Sequence, residues 1–193
     1  MSLGGTGMIT MSRKLLVLDL DSTLIYSSPV KTACDFEIVV KGYRFYVKLR
    51  PGIEAFLAFI KDHFDVAVWS AAHKLYVAEI VKVLFKDFPL VFVYSGERCT
   101  EKIIHDEWKG GGLDGEHVVL KKLKKVWDRK TWTWSRKDTL ILDDDPETYM
   151  QNYGNSVPIK PYTGQTTDGE FKRVMNILES ARAFSDVRIA YKR

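Results

Sequence analysis

The chain has 193 residues, 46% of them hydrophobic and 12% aromatic, which is enough apolar material for one buried core with a small insertion and too much for a disordered segment. Twenty-nine basic against 25 acidic residues leave a formal net charge of +4. That balance suits an anionic substrate and falls short of a dedicated nucleic-acid binder, so no direct nucleic-acid binding is expected. Cys34 and Cys99 are the only cysteines, so no disulfide framework or cysteine metal site is expected, and a reducing, intracellular compartment, nuclear or cytoplasmic, is the simplest expectation.

Residues 1–13, MSLGGTGMITMSR, read as a flexible leader, and their GGTG lacks the Lys-Ser/Thr ending of a phosphate loop. No apolar run is long enough to span a bilayer, so no membrane association is expected. From residue 14 onward, short apolar runs recur as LLVLD (15–19), VAVW (66–69), VFVY (91–94) and TLILD (139–143), separated by segments with helical spacing. Such alternation predicts an α/β fold, a Rossmann-like parallel sheet with flanking helices.

Between the first two runs, FEIVV and YRFYVKL flank Lys41-Gly42 and predict a small antiparallel β insertion with its turn at that dipeptide. Pro51 opens a helix in which Ile53, Phe56, Leu57 and Ile60 share one face. HKLYVAEIVKVLF predicts a second helix, EHVVLKKLKKVWDR (116–129) a third, and FKRVMNILESARAF the closing one. VPIK is a candidate fifth strand, and the polar, Gly-rich stretch of about 96–117 reads as an insertion or loop. His63, His73, His105 and His117 have no ligand spacing and are assigned surface or structural roles.

In doubly wound sheets, ligands bind beyond the carboxyl ends of the strands. Two strands here end in acids: LLVLD delivers Asp19 and then Asp21, and TLILD delivers Asp143, followed by Asp144 and Asp145. An Asp after a strand is commonly a turn residue or a helix cap. Two neighbouring strands that both end this way need more explanation, because carboxylates ~4 Å apart repel by roughly 4 kcal/mol at an effective dielectric of ~20. An oxygen-only cluster free of Cys and His suits a hard divalent cation such as Mg2+.

DLDST (19–23) resembles the DxDxT signature of the haloacid dehalogenase superfamily of phosphohydrolases. With KLRPGIEAFL, VAVWSAAHKLY, GERC, LKKL, LILDDDPETY and SVPIKPY following in order, the chain from about Lys14 to Ile189 is similar to the Fcp/Scp family, the phosphatases of the RNA polymerase II C-terminal domain. The resemblance implies a catalytic domain over 14–193 with no large cap domain. It also implies magnesium-dependent protein serine/threonine phosphatase activity through an aspartyl-phosphate.

In the implied site Asp19 is the nucleophile, and Asp21 is the general acid and base and lends its backbone carbonyl to the metal. Thr23 orients Asp21, Ser70 holds a phosphate oxygen, and Lys121 neutralises charge, with the adjacent Lys122 as the alternative. Asp143 and Asp144 complete the metal set with Asp19 and Asp21, and Asp145 stands outside it. Arg50 is open between substrate contact and a structural ion pair, and Trp108 is the candidate for substrate stacking.

The implied partner is a phosphoserine or phosphothreonine protein or peptide, RNA polymerase II tail-like peptides among the options, met by a monomer. Pro29 departs from the aromatic residue that the small Scp-type enzymes place near a proline pocket, and Asp144 replaces their Asn. Two other readings remain open at this level: a non-catalytic peptide-binding module of the mitochondrial import-receptor type, and a small-molecule phosphatase or phosphotransferase.

Overall fold

The computed structural model describes residues 13–104 and 116–189. The expected leader up to residue 12, most of the expected insertion's tip, His105 and Trp108 lie outside them. Arg13, the last leader residue, ion-pairs with Asp65 at 3.5 Å.

Five strands form the central parallel sheet: β1 (Lys14–Leu18), β5 (Phe64–Trp69), β6 (Leu90–Tyr94), β9 (Thr139–Asp143) and β10 (Ser156–Pro158). Their order is β10-β9-β1-β5-β6, so β1 lies between β9 and β5. The register pairs Leu18 with Leu142 on one side and with Val68 on the other. Asp19, Asp143 and Ser70 therefore emerge from one edge of the sheet, the arrangement the sequence pattern predicts.

Every residue of β1 and β9 is buried, as expected for strands covered on both faces. The side-chain alternation of period two divides them between two cores. Leu16, Leu18, Leu140 and Leu142 join the larger core with Phe56, Ile60, Val77 and Phe171. Leu15, Val17 and Ile141 face the other side, against Trp69, Phe92, Leu123 and Val126. Carrying that alternation one residue further turns Asp19 and Asp143 toward the second side, where Lys121 precedes Leu123.

The larger core is closed by helices α1 (Ile53–His63), α2 (Lys74–Leu84) and α5 (Glu170–Arg182), which bury Ile53, Phe56 and Ile60, then Tyr76, Val77 and Ile80, then Phe171, Val174 and Leu178. A three-stranded antiparallel sheet in the order β2-β4-β3 joins β2 (Ile25–Ser28), β3 (Phe36–Val40) and β4 (Tyr43–Leu49). Lys41 (φ 49) and Gly42 (φ 85) form the two-residue turn between β3 and β4, a pairing of left-handed conformations that matches the twist of a hairpin. Strand β2 is absent from the sequence-based expectation, because IYSS carries no alternation of its own.

The expected helix over 116–129 is corrected. Residues Glu116–Leu120 form strand β8, which pairs antiparallel with β7 (Thr100–Ile104), and only α3 (Lys124–Trp127) is helical. HVVL is a short apolar run whose periodicity cannot separate strand from helix, and pairing with a distant segment decides it. The segment 96–104, expected as part of an insertion or loop, contains a short 3-10 turn at Gly96–Arg98 and strand β7. Arg50 is resolved as a structural residue. Fully buried, it ion-pairs with Asp168 at 2.9 Å, donates to the carbonyls of Thr23 (2.9 Å) and Lys160 (2.7 Å), and lies against the rings of Tyr162 and Phe171.

Candidate active site

Immediately after β1 the chain coils tightly. The carbonyl of Leu20 accepts from the amides of Thr23, Leu24 and Ile25, and Ser22 takes a left-handed conformation (φ 58). On either side of Ser22, Asp21 and Thr23 meet different partners. The Tyr76 hydroxyl, from α2, donates to Asp21 Oδ1 at 2.5 Å. Thr23 Oγ1 donates to Asp144 Oδ1 at 3.0 Å and makes a long 3.5 Å contact with Asp19 Oδ2. The expected pairing of Thr23 with Asp21 is therefore replaced: Thr23 links the two acidic strand ends, and Tyr76 holds Asp21.

Lys121 is 1% exposed, and its Nζ donates to Asp19 Oδ1 at 2.6 Å and to Asp143 Oδ2 at 2.8 Å. Its backbone is fixed on both sides: its amide donates to the Thr148 carbonyl (2.7 Å), and its carbonyl accepts from Asn152 Nδ2 (2.6 Å). Asn152 also accepts from the Leu123 amide at 3.0 Å, so one buried side chain clamps the turn that carries the lysine. Lys122, its neighbour, makes no ion pair with these carboxylates.

One carboxylate oxygen from each of Asp19, Asp143 and Asp144 lies within 4.8 Å of the others. Asp21 is not among the three, since its carboxylate turns to Tyr76. Asp143 Oδ1 accepts from the Asp145 amide at 3.1 Å. Asp145 itself caps the short helix α4 (Pro146–Tyr149) by accepting from Glu147 N.

Burial sets the electrostatics. It pushes the Asp19 carboxyl up to about 6 against the opposing pull of Lys121, and it pushes Asp143 to about 6 with help from the charge on Asp19. Burial also raises Asp21, opposed by the Tyr76 hydrogen bond, and raises Asp144, opposed by the Thr23 hydroxyl. Burial alone would lower Lys121, but the charges of Asp19 and Asp143 more than reverse it, so the lysine stays an ammonium. One ammonium against the carboxylates of Asp19, Asp143 and Asp144 leaves an excess of two negative charges when all are ionised. That deficit, together with an oxygen-only donor set, fits a hard divalent cation.

Ser70 follows β5, is 2% exposed, and accepts the Ala72 amide at 3.0 Å. Its loop is held by Gly96, whose amide donates to the Ala72 carbonyl at 2.8 Å, and a Cβ there would stand 2.4 Å from the Ala71 carbonyl oxygen. Ser70, Lys121 and the acids line one cleft of about 250 Å³. A larger, mostly apolar pocket of about 470 Å³ adjoins it, sharing Asp21 and lined by Pro29, Val40, Tyr43, Phe45 and Tyr76. Tyr76 and Asn152 are the site residues that the sequence pattern does not single out. Tyr76 sits within the apolar stripe of a helix, and Asn152 carries no motif.

A Rossmann-like sheet with a lysine-bridged carboxylate cluster at its carboxyl edge is the class that fold and site define together. A sequence model of the NLI interacting factor-like phosphatase family matches residues 14–188, and the chain belongs to that family, within the Fcp/Scp-type branch of the haloacid dehalogenase superfamily. Among its relatives, Nuclear envelope morphology protein 1 of Saccharomyces cerevisiae is 25% identical over 93% of this chain and 41% of its own length. CTD small phosphatase-like protein 1 of Caenorhabditis elegans is 28% identical over 94% of this chain and 34% of its own. CTD nuclear envelope phosphatase 1B of Danio rerio is 27% identical over 94% of this chain and 72% of its own. The chain thus spans well under half of the first two. A structure of the fission yeast RNA polymerase II CTD phosphatase Fcp1 bound to beryllium fluoride shares the fold, with a TM-score of 0.54, 17% identity, and coverage of 91% of this chain and 53% of that one. Among the described residues no helix is long and apolar enough to cross a membrane.

Proposed function

We propose that this chain is a magnesium-dependent protein serine/threonine phosphatase that forms a covalent aspartyl-phosphate on Asp19. The observation that carries the reading is the Asp19 carboxylate, held through Oδ1 by Lys121 in an open cleft that four further aspartates line together with Ser70, Ala71, Ala72 and Thr148. Lys121 offsets only one of the three carboxylate charges gathered there, which leaves the balance to a further cation.

Asp19 attacks phosphorus, and the bond from phosphorus to the substrate oxygen breaks as the new bond forms. Asp21 gives its proton to the departing oxygen. Burial raises its affinity for that proton, and Tyr76 occupies Oδ1, leaving Oδ2 for the substrate. In the second half-reaction Asp21 takes a proton from water as the water oxygen attacks phosphorus, and Asp19 is released as a carboxylate. Lys121 offsets charge on the transferring group, and Ser70 supplies a hydroxyl to one of its oxygens.

Asp19, Asp143 and Asp144 would hold the metal through their carboxylates, with the Asp21 carbonyl as a further ligand. Magnesium, when bound, supplies the positive charge that lets an anionic nucleophile approach a phosphate dianion. The openness of the cleft and the adjoining apolar pocket support an extended phosphoserine or phosphothreonine peptide over a small metabolite, whose binding needs enclosure. The family relatives named as CTD phosphatases support the same substrate class.

The test is phosphate release with magnesium from a panel of phosphoserine peptides, sugar phosphates and nucleotides, run beside Asp19→Asn. Turnover of the peptides that disappears in the variant supports the reading. Preference for small metabolites overturns the substrate, and release from nothing points to a peptide-binding module.

A further inference from the structure

Nine arginines lie among the described residues, and six of them pair with a carboxylate: Arg13, Arg44, Arg50, Arg173, Arg182 and Arg188. The other three, Arg98, Arg129 and Arg136, have no carboxylate partner among the described residues. All three are exposed, and all three lie on aromatic rings that belong to or pack against the second core. Arg98 sits 5.3 Å from the Tyr94 ring centre, Arg129 4.9 Å from that of Trp132, and Arg136 5.3 Å from that of Trp127.

A guanidinium laid on a ring keeps its N–H edge free, and it has already surrendered much of the side-chain freedom that binding an anion would cost. The surrounding charge has the same sign. Residues 122–137 carry seven lysines and arginines against one acid, Asp128, and that acid is engaged by Lys124. Lys125 is tied to the carbonyls of Arg98 and Cys99, joining the two arms of the face.

We propose that this face is a docking surface for an Asp- and Glu-rich segment of a protein partner. Arg98 and Arg129 share the Tyr94 ring, at 5.3 and 5.8 Å, Arg129 also lies on Trp132, and Arg136 rests on Trp127, so the three forks are spread over several rings rather than all meeting at one. That spacing suits a string of carboxylates, each met by one fork, better than a single dianion. Nucleic acid fits less well, because base stacking needs open ring faces. Here Trp132 is stacked on Phe92 at 4.9 Å and also carries Arg129. The proposal concerns binding and stands whether or not the cleft turns over phosphate.

The experiment is fluorescence anisotropy with a labelled Asp/Glu-rich peptide, a neutral Ser/Asn peptide of equal length and a labelled single-stranded RNA, at physiological and raised salt. The wild-type chain is compared with the triple variant Arg98→Gln, Arg129→Gln, Arg136→Gln, and with Lys31→Gln, Lys82→Gln, Lys86→Gln, which removes the same charge elsewhere. A third variant converts the three arginines to lysine, keeping charge and losing the fork; circular dichroism melts confirm that each folds. Surface ion pairs are individually weak, so the expected loss for three acting together is about tenfold in peptide affinity with Gln. The lysine conversion should fall between that variant and wild type, and the control triple should stay near wild type. Equal losses in both Gln triples would reduce the face to net charge and overturn the proposal, as would RNA binding tighter than the peptide or no peptide binding by the wild-type chain at physiological salt.

Discussion

Among the buried cations, Arg50 and Lys121 have surroundings that differ in a way that separates structure from chemistry. Arg50 faces one carboxylate, Asp168, with three carbonyls and two aromatic rings closing around it. Its charge is matched and its hydrogen bonds tie the loop after β1 to residues 160 and 168. Lys121 is as deeply buried, yet it bonds two carboxylates while Asp144 stands beside them, and the excess negative charge opens onto a cleft. Burial alone does not single out the proposed reactive centre; the charge imbalance does.

The sharpest way to break that comparison is to remove the acid at its core. Asp19→Asn is expected to lower turnover by at least ~10³-fold, the scale of losing a covalent nucleophile. Its melting midpoint in the absence of metal is expected to equal or exceed wild type, because the folded state carries the Asp19 charge against burial. Next, the two cations are expected to fail differently. Arg50→Met leaves Asp168 buried without its partner and should cost about 3–5 kcal/mol of stability by denaturant unfolding. Lys121→Met should lose turnover by ~10²-fold or more, as a charge-stabilising group does.

Tyr76→Phe is expected to slow turnover by about tenfold, within the range of general acid–base effects. It should also move the alkaline limb of the pH–rate profile upward, since the Tyr76 hydrogen bond opposes the rise in Asp21. A purely structural tyrosine would leave that limb in place. A further effect is thermodynamic. Asp19 and Asp143 are pushed from 3.8 to about 6 on folding, so between those values the folded state binds more protons than the unfolded one. Stability of the metal-free protein should therefore fall as pH rises from about 4 to about 6. The fall should be shallower in Asp19→Asn and in the presence of magnesium.

Much of this is legible in the sequence alone. The two strands that carry the acids are uninterrupted apolar runs, because both faces of the central sheet are covered, and that signature is unambiguous in LLVLD and TLILD. Lys-Gly between FEIVV and YRFYVKL specifies its hairpin through the left-handed conformations that the turn needs. Strand β8 was illegible for a different reason: HVVL becomes a strand only by pairing with residues 100–104, a contact no local pattern encodes. The same limit hides Tyr76, which looks like one more buried residue of α2 until the chain turn at Ser22 presents Asp21 to its hydroxyl. Asn152 is hidden likewise, since its two hydrogen bonds join segments roughly 30 residues apart. Arg50 showed the reverse case, a residue beside a motif whose surroundings assign it to the fold.

Whether Asp19 carries the phosphoryl group is read out by rapid acid quenching of the protein during turnover of a phosphorus-32-labelled phosphoserine peptide. The protein is then digested and the labelled fragment mapped by mass spectrometry. Transient label is expected on the fragment containing Asp19, released by hydroxylamine and absent in Asp19→Asn. Turnover without protein-bound label, or label resting on Ser70 or another side chain, would contradict it.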